Sequence, residues 1–346
     1  MKEFFKHLIL AAGLLLLLSG CRAPSGDGAL QLPELTEGAV APARPELLAP
    51  GIISTSNGER DAAFTPDYSE FYYTLWTGAF GVILQIHQIE GGWSEPETAP
   101  FSGRFSDLEP FVTPDGSRLF FASNRPVDEA GDVKDYDIWF VERQGGSWGQ
   151  PIPLGPAVNT PANEFYPSLD REDNLYFTAA YEHSIGGEDI WMSRPEEDGF
   201  GAPENVGPGV NTEKDEFNSV ISPDGSFLAF SSFGREDGLG GGDLYISFRD
   251  ETGALATALN AGADINSASL DFSPALTPDG RTFIFSSRRT AITSPRAQPW
   301  THDDLVEGLS GPANGDLDIY RVDAGFIGRL NQVIDSVQVP AASTLP

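Results

Sequence analysis

Five acidic residues recur along the sequence at intervals of about fifty residues, a spacing typical of a repeated structural unit. They are Asp61, Asp107, Glu164, Glu216 and Asp271. Carboxylates held about 8 Å apart repel each other by roughly 0.5 kcal/mol per pair in water, which favours a bound cation, a basic side chain or raised pKa values. The five acids could therefore form a ligand or ion site. In the structural alternative, each acid accepts hydrogen bonds from backbone amides within its own repeat.

The residues after each acid predict four short strands. A second strand is indicated by aromatic or β-branched runs bounded by Pro-Asp-Gly turns, as in Leu119-Phe120-Phe121. A third strand opens with an acid and an aliphatic-aromatic pair, and its acids are Asp137, Asp189, Asp243 and Asp318. A fourth follows an aromatic-Gly-x-Pro signal and ends in a Val-Asn-Thr type of sequence. Four strands repeated five times predict an all-β fold, a β-propeller of four-stranded blades.

The ends of the repeated region predict how the ring closes. Residues 45–51 resemble a fourth strand without three strands before them, while the last copy has no clear fourth strand after Val322. We therefore expect the N-terminal strand to complete the C-terminal blade, which leaves only short sheet edges. Five blades are favoured, and a sixth stays open if residues 326–339 form more sheet. The first strand of each blade lines the channel, so the five acids are expected at one mouth.

These motifs resemble the WD-like propeller repeat of bacterial envelope proteins, the TolB-like propellers. The resemblance covers roughly residues 45–323 and includes the Ser-Pro-Asp-Gly turn, the Gly-Gly-x-Asp-Ile-Trp segment and the Val-Asn-Thr ending. The first copy departs most, because it lacks the acid that opens the third strand, and the third copy replaces Pro-Asp-Gly with residues 170–174. We expect neither the N-terminal α/β domain of TolB-like proteins nor the peptidoglycan-binding domain of other relatives.

The N-terminus has the features of a lipoprotein signal peptide. Lys2 and Lys6 precede an apolar run that is too short to span a bilayer, and Leu18-Ser19-Gly20-Cys21 resembles a lipobox. An ordinary secretory signal is the alternative. Cys21 is the only cysteine, so it has no disulfide partner within the chain, and lipidation is its expected use. We expect a signal peptide at 1–21, a flexible linker at 22–44, the propeller at 45–325 and a tail at 326–346. The expected location is the outer membrane, facing the periplasm or the cell surface.

Charge narrows the range of partners. The chain has 21 Lys and Arg against 51 Asp and Glu, a formal net charge of −30. This argues against nucleic acid as a partner and limits membrane contact to the lipid anchor. An envelope protein or a cationic ligand is expected instead. No cofactor is expected, and calcium binding and the metal content are left open.

The loops on the channel face are expected to carry specificity. One, between Asn124 and Tyr136, contains Asp128, Glu129, Asp132 and Asp135. The longest lies between the second and third strands of the last copy. There Thr301 to Asp304 indicates a capping box that opens a short helix, and Trp300 and His302 are the candidate contact residues.

Binding is favoured over catalysis by the way the acids follow the repeat. Propeller glycoside hydrolases use carboxylates around the channel, with a different role in each blade, and the sequence contains no Gly-x-Ser-x-Gly elbow, His-Glu-x-x-His pair or Walker loop. The expected function is a lipid-anchored, non-catalytic binding scaffold of the cell envelope. The alternative is a glycoside hydrolase or another carbohydrate-active or carbohydrate-binding protein.

Overall fold

The chain forms five antiparallel β-sheets of four principal strands, arranged in a ring. The computed structural model describes residues 28–128, 131–295 and 297–338, with side chains of the last helix described to residue 333. The innermost strand of each sheet contacts the innermost strands of both neighbours, which closes the ring around a central channel. The predicted five-bladed β-propeller is confirmed. The predicted signal peptide, Cys21 and Glu129 lie outside the described residues.

The elements follow one another blade by blade. A 3₁₀ helix (Pro33–Leu35) and strand β1 (Glu46–Leu47) precede the first blade. Blade 1 contains β2 (Gly58–Phe64), β3 (Glu70–Trp76), β4 (Gly81–Ile89), β5 (Gly92–Trp93) and β6 (Glu97–Thr98). Blade 2 contains β7 (Asp107–Val112), β8 (Arg118–Ser123), β9 (Asp137–Gln144), β10 (Ser147–Trp148) and β11 (Ile152–Pro153).

The remaining blades repeat this order. Blade 3 contains β12 (Glu164–Leu169), β13 (Leu175–Ala179), β14 (Asp189–Ser193), the hairpin β15 (Pro195–Glu196) and β16 (Gly199–Phe200), and β17 (Glu204–Asn205). Blade 4 contains β18 (Asp215–Ile221), β19 (Phe227–Phe233), β20 (Asp243–Phe248) and β21 (Leu259–Asn260). Blade 5 contains β22 (Asp271–Leu276), β23 (Thr282–Ser287), helix α1 (His302–Leu309) in a loop, and β24 (Asp318–Asp323), and helix α2 (Gly325–Gln338) follows it.

The second strand of each blade is apolar at successive positions because both faces of the blade are buried. Side chains alternate between the two faces of a strand. Leu119 and Phe121 pack against blade 1, whereas Phe120, between them, packs against blade 3. All three side chains are fully buried. A continuous apolar run thus becomes a layer that joins a blade to both of its neighbours.

The Pro-Asp-Gly turns join the first and second strands. In the turn of blade 5, Asp279 Oδ1 accepts a hydrogen bond from the amide of Arg281 at 3.1 Å. Gly280 has a φ of +67°, which a residue with a Cβ adopts only at a cost in free energy. Glycine at this position therefore suits the backbone conformation of the turn.

Ring closure follows the prediction. Strand β1 pairs with β24, with Glu46 opposite Arg321 and Leu47 opposite Tyr320, and so supplies the fourth strand of blade 5. Residues 325–338 form helix α2 rather than sheet, which leaves the number of blades at five.

The segment at 28–44, expected to be part of a flexible linker, has a defined course over the junction of blades 1 and 5. Leu30 forms a β-bridge with Trp93 of blade 1, and the amide of Asp323 in blade 5 donates to the carbonyl of Pro42. Leu32 and Leu35 are buried in a cluster that contains residues of both blades. Their burial holds the segment against the propeller, although its Pro- and Ala-rich composition predicts neither a strand nor a helix.

Two faces of the ring are distinguished by their connections. The loop face holds the first residues of β2, β7, β12, β18 and β22 and the loops between second and third strands. The turn face, opposite to it, holds the turns between first and second strands. Within the described ranges, the helices are too short or too polar to cross a bilayer.

Candidate functional site

Acidic residues at the start of the inner strands lie between the blades on the loop face. Asp107, Glu164, Glu216 and Asp271 occupy equivalent positions in their strand pairs and are fully buried. Each accepts hydrogen bonds from a Ser or Thr just before it in the chain. Backbone amides also donate to Glu164, Glu216 and Asp271, as the structural alternative expects, whereas Asp107 accepts from two serine hydroxyls and Arg125. A ligand or ion role for these acids stays a prediction.

The Val-Asn-Thr sequences position these acids by bridging two blades. Asn159 bonds through its side-chain amide to both the N–H and the carbonyl of Ile138 in blade 2, at 3.1 and 3.0 Å. The hydroxyl of the next residue, Thr160, donates to Glu164 of blade 3 at 2.7 Å. Asn211 and Asn266 repeat the amide contacts in the next two blades. The repeated sequence is therefore a clip between successive blades.

Arginines complete the contacts of three of these acids. Arg125 donates to Asp107 at 2.6 Å, Arg235 donates to Glu216 at 2.9 Å, and Arg289 donates to Asp271 at 3.1 Å. Each guanidinium also lies over aromatic rings of its blade, as Arg235 does over Tyr245 at 4.6 Å. The positive charge of each arginine compensates the negative charge of the buried carboxylate with which it is paired.

The acid of the first blade differs from the prediction. Glu59, and not Asp61, occupies the position equivalent to Asp107, and it accepts hydrogen bonds from the amide and hydroxyl of Thr55. Asp61 lies two residues further along, at a β-bulge, with a φ of +59°. The spacing to the turn proline would have identified Glu59: Pro66 lies seven positions after Glu59, as Pro114 lies seven positions after Asp107.

The residues at this bulge close the middle of the channel, and their types do not recur from one repeat to the next. The bulge positions all have positive φ angles and are Asp61, Glu109, Tyr166, Asn218 and Ser273. All five side chains are buried, and we call this set, with Arg60, the channel plug. Their residue types differ from blade to blade, although the backbone conformation repeats.

Hydrogen bonds within the channel plug join different blades. Arg60 donates to Asp61 at 2.9 Å and to Glu109 of blade 2 at 2.7 Å. The Tyr166 hydroxyl donates to the carbonyl of Pro274, from blade 3 to blade 5. Burial raises the pKa of Glu109 to about 8, against the opposing effect of the Arg60 charge. The plug is a buried polar network in which Arg60 is the cation shared by Asp61 and Glu109.

The third-strand acids hold the loops of the loop face. Asp189 accepts hydrogen bonds from the amides of Ile185 and Gly186, and Asp318 accepts one from the amide of Ala313 at 2.7 Å. Asp243 and Asp137 are bonded to Leu239 and to Lys134 in the same loops. Burial raises the pKa of Asp318 to about 7. These acids fix the points at which the loops rejoin the blades.

The candidate contact residues lie in the longest loop of this face. The predicted capping box is present: the Thr301 hydroxyl accepts from the amide of Asp304, and the Asp304 carboxylate accepts from the amide of Thr301. His302 has 88% of its side chain exposed, and Trp300 is half-buried, with its indole N–H donating to the Thr293 carbonyl at 3.2 Å. The structure brings both residues to the start of helix α1.

Helix α1 buries none of its residues against the propeller. Val306 and Leu309, three positions apart and hence on one side of the helix, are 53% and 55% exposed. Asp303, Asp304 and Glu307 give the helix a negative charge. The helix presents an apolar pair surrounded by carboxylates.

A metal site or a hydrolase active site needs His, Cys, Asp or Glu side chains that a metal ion or substrate can reach. Among the described residues, no group of three or more His, Cys, Asp or Glu side chains is arranged to hold a metal ion. Asp61 and Glu109, the carboxylates nearest to the arrangement of a channel glycosidase, are buried and share Arg60. Retaining and inverting glycosidases both need two carboxyl groups that flank a bound sugar.

Solved structures of other propellers are similar to this chain. TolB from Acinetobacter baumannii shares 15% identity with a TM-score of 0.46, over 77% of this chain and 54% of that one. Putative TolB from Agrobacterium tumefaciens shares 14% identity at a TM-score of 0.46, over 77% of this chain and 90% of that one. An alpha-L-arabinofuranosidase from Lactobacillus brevis shares 12% identity at a TM-score of 0.45, over 79% of this chain and 92% of that one.

These comparisons concern the fold. This chain spans about half the length of the Acinetobacter protein. No protein-family model matches the sequence, and the search of curated proteins gives no match. The chain is a five-bladed β-propeller, and TolB-like propellers are among the solved structures that it resembles.

Proposed function

We propose that this chain is a lipid-anchored propeller of the cell envelope that binds a partner protein or cationic ligand through its loop face and catalyses no reaction. The observation that carries the proposal is helix α1, which departs from the repeat, buries none of its residues and exposes Val306 and Leu309. Exposed aliphatic side chains beside carboxylates favour a partner with an apolar patch bordered by Lys or Arg.

The anchor supports the envelope part of the proposal. Cys21 follows a short apolar run and a lipobox-like sequence, and is the only cysteine of the chain. A radiolabelled fatty acid should be incorporated into the full chain and not into a Cys21→Ala variant. Equal labelling of both would contradict anchoring at this residue.

The alternative function, a glycoside hydrolase, needs carboxylates that can reach a sugar. The channel plug engages Asp61 and Glu109 with Arg60 beneath the loop face, which favours binding over hydrolysis. Carbohydrate binding by the same loops is a further outcome that a glycan array of the full chain would detect.

Crosslinked affinity purification of the full chain from native membranes tests the proposal. We expect one stoichiometric partner with the unaltered chain and its loss when Val306 and Leu309 are both changed to Asp. The matched control changes Val40 and Ile89, aliphatic residues that are 88% and 44% exposed elsewhere, to Asp. Retention of the partner by the α1 variant, or no partner in any sample, would overturn the proposal.

A further inference from the structure

A cavity of about 180 Å³ lies in the channel at the turn face, on the side of the channel plug away from the loop face. Its wall takes an apolar residue from the inner strand of every blade. These residues are Ala63, Val112, Leu169, Ile221 and Leu276. An apolar cavity of about 150 Å³ in a protein can hold a benzene ring. The cavity therefore has room for one aryl or branched alkyl group.

Most polar groups of the cavity lining already make hydrogen bonds within the protein. The hydroxyls of Thr113 and Thr277 donate to the turn aspartates Asp115 and Asp279 at 2.6 and 2.8 Å. Arg171 is the one charged residue of the lining, and its exposed side chain makes no hydrogen bond or ion pair within the part of the chain that the structure describes. It occupies the place of the proline in the other four turns.

An acidic residue follows the lining proline or arginine in every blade. These five exposed residues, which we call the rim acids, are Asp67, Asp115, Glu172, Asp224 and Asp279. Their side chains line depressions that run outward from the same prolines and from Arg171. The apolar cavity is thus surrounded by five carboxyl groups and the guanidinium group of Arg171, and Arg143, Arg194 and Arg249 also line the depressions.

Hydrogen bonds within the turns favour the ionised form of the four rim aspartates. Amide and hydroxyl donors of Ser69 and Ser226 hold the pKa of Asp67 and Asp224 below the usual range. At Asp115 and Asp279, partial burial raises the pKa, but hydrogen bonds within the turns outweigh burial, so that both pKa values are lowered. Of the other arginines in these depressions, Arg143 is paired with Glu70 and Arg194 with Glu204. Arg249 donates to backbone carbonyls and to the Tyr176 hydroxyl.

We propose that this cavity binds a small organic cation that carries one apolar group of about the size of a benzene ring. The apolar group enters the cavity, where its burial is favourable, and the ammonium or guanidinium group stays at the rim acids. The site lies on the face opposite to helix α1 and does not depend on the proposed function.

Three probes with the same phenyl group separate the contributions of shape and charge. Phenethylammonium, 2-phenylethanol and 3-phenylpropanoate are titrated calorimetrically into the purified full chain at low salt. We expect the cation to bind about tenfold more tightly than the alcohol, because several carboxylates attract it through little screening. The carboxylate probe should bind most weakly.

Substitutions of the rim change charge without changing the turns. Asp67→Asn, Asp115→Asn, Asp224→Asn and Asp279→Asn keep the side-chain oxygen that accepts the turn hydrogen bond, and Glu172→Gln completes the set. The combined variant should lose the preference for the cation over the alcohol, with the alcohol still bound. Arg171→Gln should strengthen binding of the cation two- to threefold.

The matched control removes the same charge from the loop face, by amides at Glu182, Glu213, Glu236, Asp303 and Glu307. It should leave the tenfold preference unchanged, and an equal loss in the control would show that only the net charge acts. Tightest binding of the carboxylate probe, abolished by Arg171→Gln, would identify an anion site and overturn the proposal. No binding of any probe at about 10 mM, which is weak even for ligands of this size, would also overturn it.

Discussion

Buried carboxylates at the junctions between blades are the residues whose ionisation most affects this fold. Burial raises the pKa of Glu164 to about 7, and hydrogen bonds from Thr160 only partly oppose this effect. Tyr181 and Asp137 are the other titratable groups that act on it. The folded state therefore keeps a proton on Glu164 at pH values at which the unfolded chain has released it.

Changing Glu164 to Gln should reduce the pH dependence of stability. A raised pKa contributes stability that is complete below the unfolded value of 4.5 and is lost as the pH rises through about 7. The loss between pH 4.5 and 7 is at most about 3 kcal/mol for this group. Denaturant unfolding at several pH values should show a shallower decline for Glu164→Gln than for the unaltered chain. Glu213→Gln, at an exposed site, serves as the control, and identical slopes in all three would refute this assignment.

Gly280 tests the turn conformation. A Cβ at this position would meet no atom within 4 Å, so a substitution acts through the backbone alone. Gly280→Val should lower the free energy of unfolding by about 1–2 kcal/mol, because the left-handed conformation is costly for residues with a Cβ. Gly280→Asn should cost less, since Asn adopts this conformation more readily. Equal stability of the Val variant and the unaltered chain in thermal melts would contradict the positive φ.

Arg60 tests the channel plug. Arg60→Met leaves Asp61 and Glu109 buried without their cation, and breaking a buried pair from one side costs about 3–5 kcal/mol. Adding Asp61→Asn and Glu109→Gln to this variant should recover much of the loss, because no buried charge then remains. Denaturant titrations measure both changes. A triple variant no more stable than Arg60→Met would show that the charges are not the cause.

Among the elements, the repeats and the capping box of the longest loop were predictable, whereas the channel plug and the course of the N-terminal segment were not. Runs such as Leu119 to Phe121 and the turn at Gly280 carry local signals, and both have the expected structure. The position of Asp61 was predicted wrongly because an Asp was matched to the Asp of the second blade by residue type. The spacing to the turn proline, which the bulged strand keeps constant, would have matched Glu59 instead. Arg60 and Tyr166 recur in no other blade, so their meeting in the channel depends on closure of the whole ring.

The N-terminal segment shows that amino-acid composition alone does not predict whether a segment packs on the propeller. Its Pro- and Ala-rich sequence indicated a flexible linker, yet Leu32 and Leu35 are buried between the first and last blades. Two apolar side chains fix the segment, and only the closed ring creates the surface that receives them. The short strand β1 is therefore held in place partly by residues that come before it in the chain.

Leu35→Ala tests this support. Leu35 is fully buried, and removal of a buried Leu side chain costs about 2–5 kcal/mol. The control, Val40→Ala in the same segment, changes a side chain that is 88% exposed and should shift the free energy of unfolding by no more than about 0.5 kcal/mol. Thermal and denaturant unfolding compare the two. Equal effects would indicate that the segment does not pack on the ring in solution.

At the scale of the whole molecule, the two ends of the channel differ in chemistry. The loop face carries the acids that clip the blades and the exposed helix α1, whereas the turn face carries an apolar cavity surrounded by rim acids. The channel plug separates them. A repeated scaffold thus has two chemically different faces, one shaped by an insertion and one by the repeats themselves, and each carries one of the two proposed binding sites.

Position-specific photocrosslinking tests most directly the claim that the loop face binds a partner. A photoreactive amino acid at Val306 of the full chain in its native envelope should give one dominant adduct of defined mass. The same group at Ile89, an exposed aliphatic position on the outer edge of blade 1, should give none. An adduct at Ile89 and none at Val306 would contradict binding through helix α1.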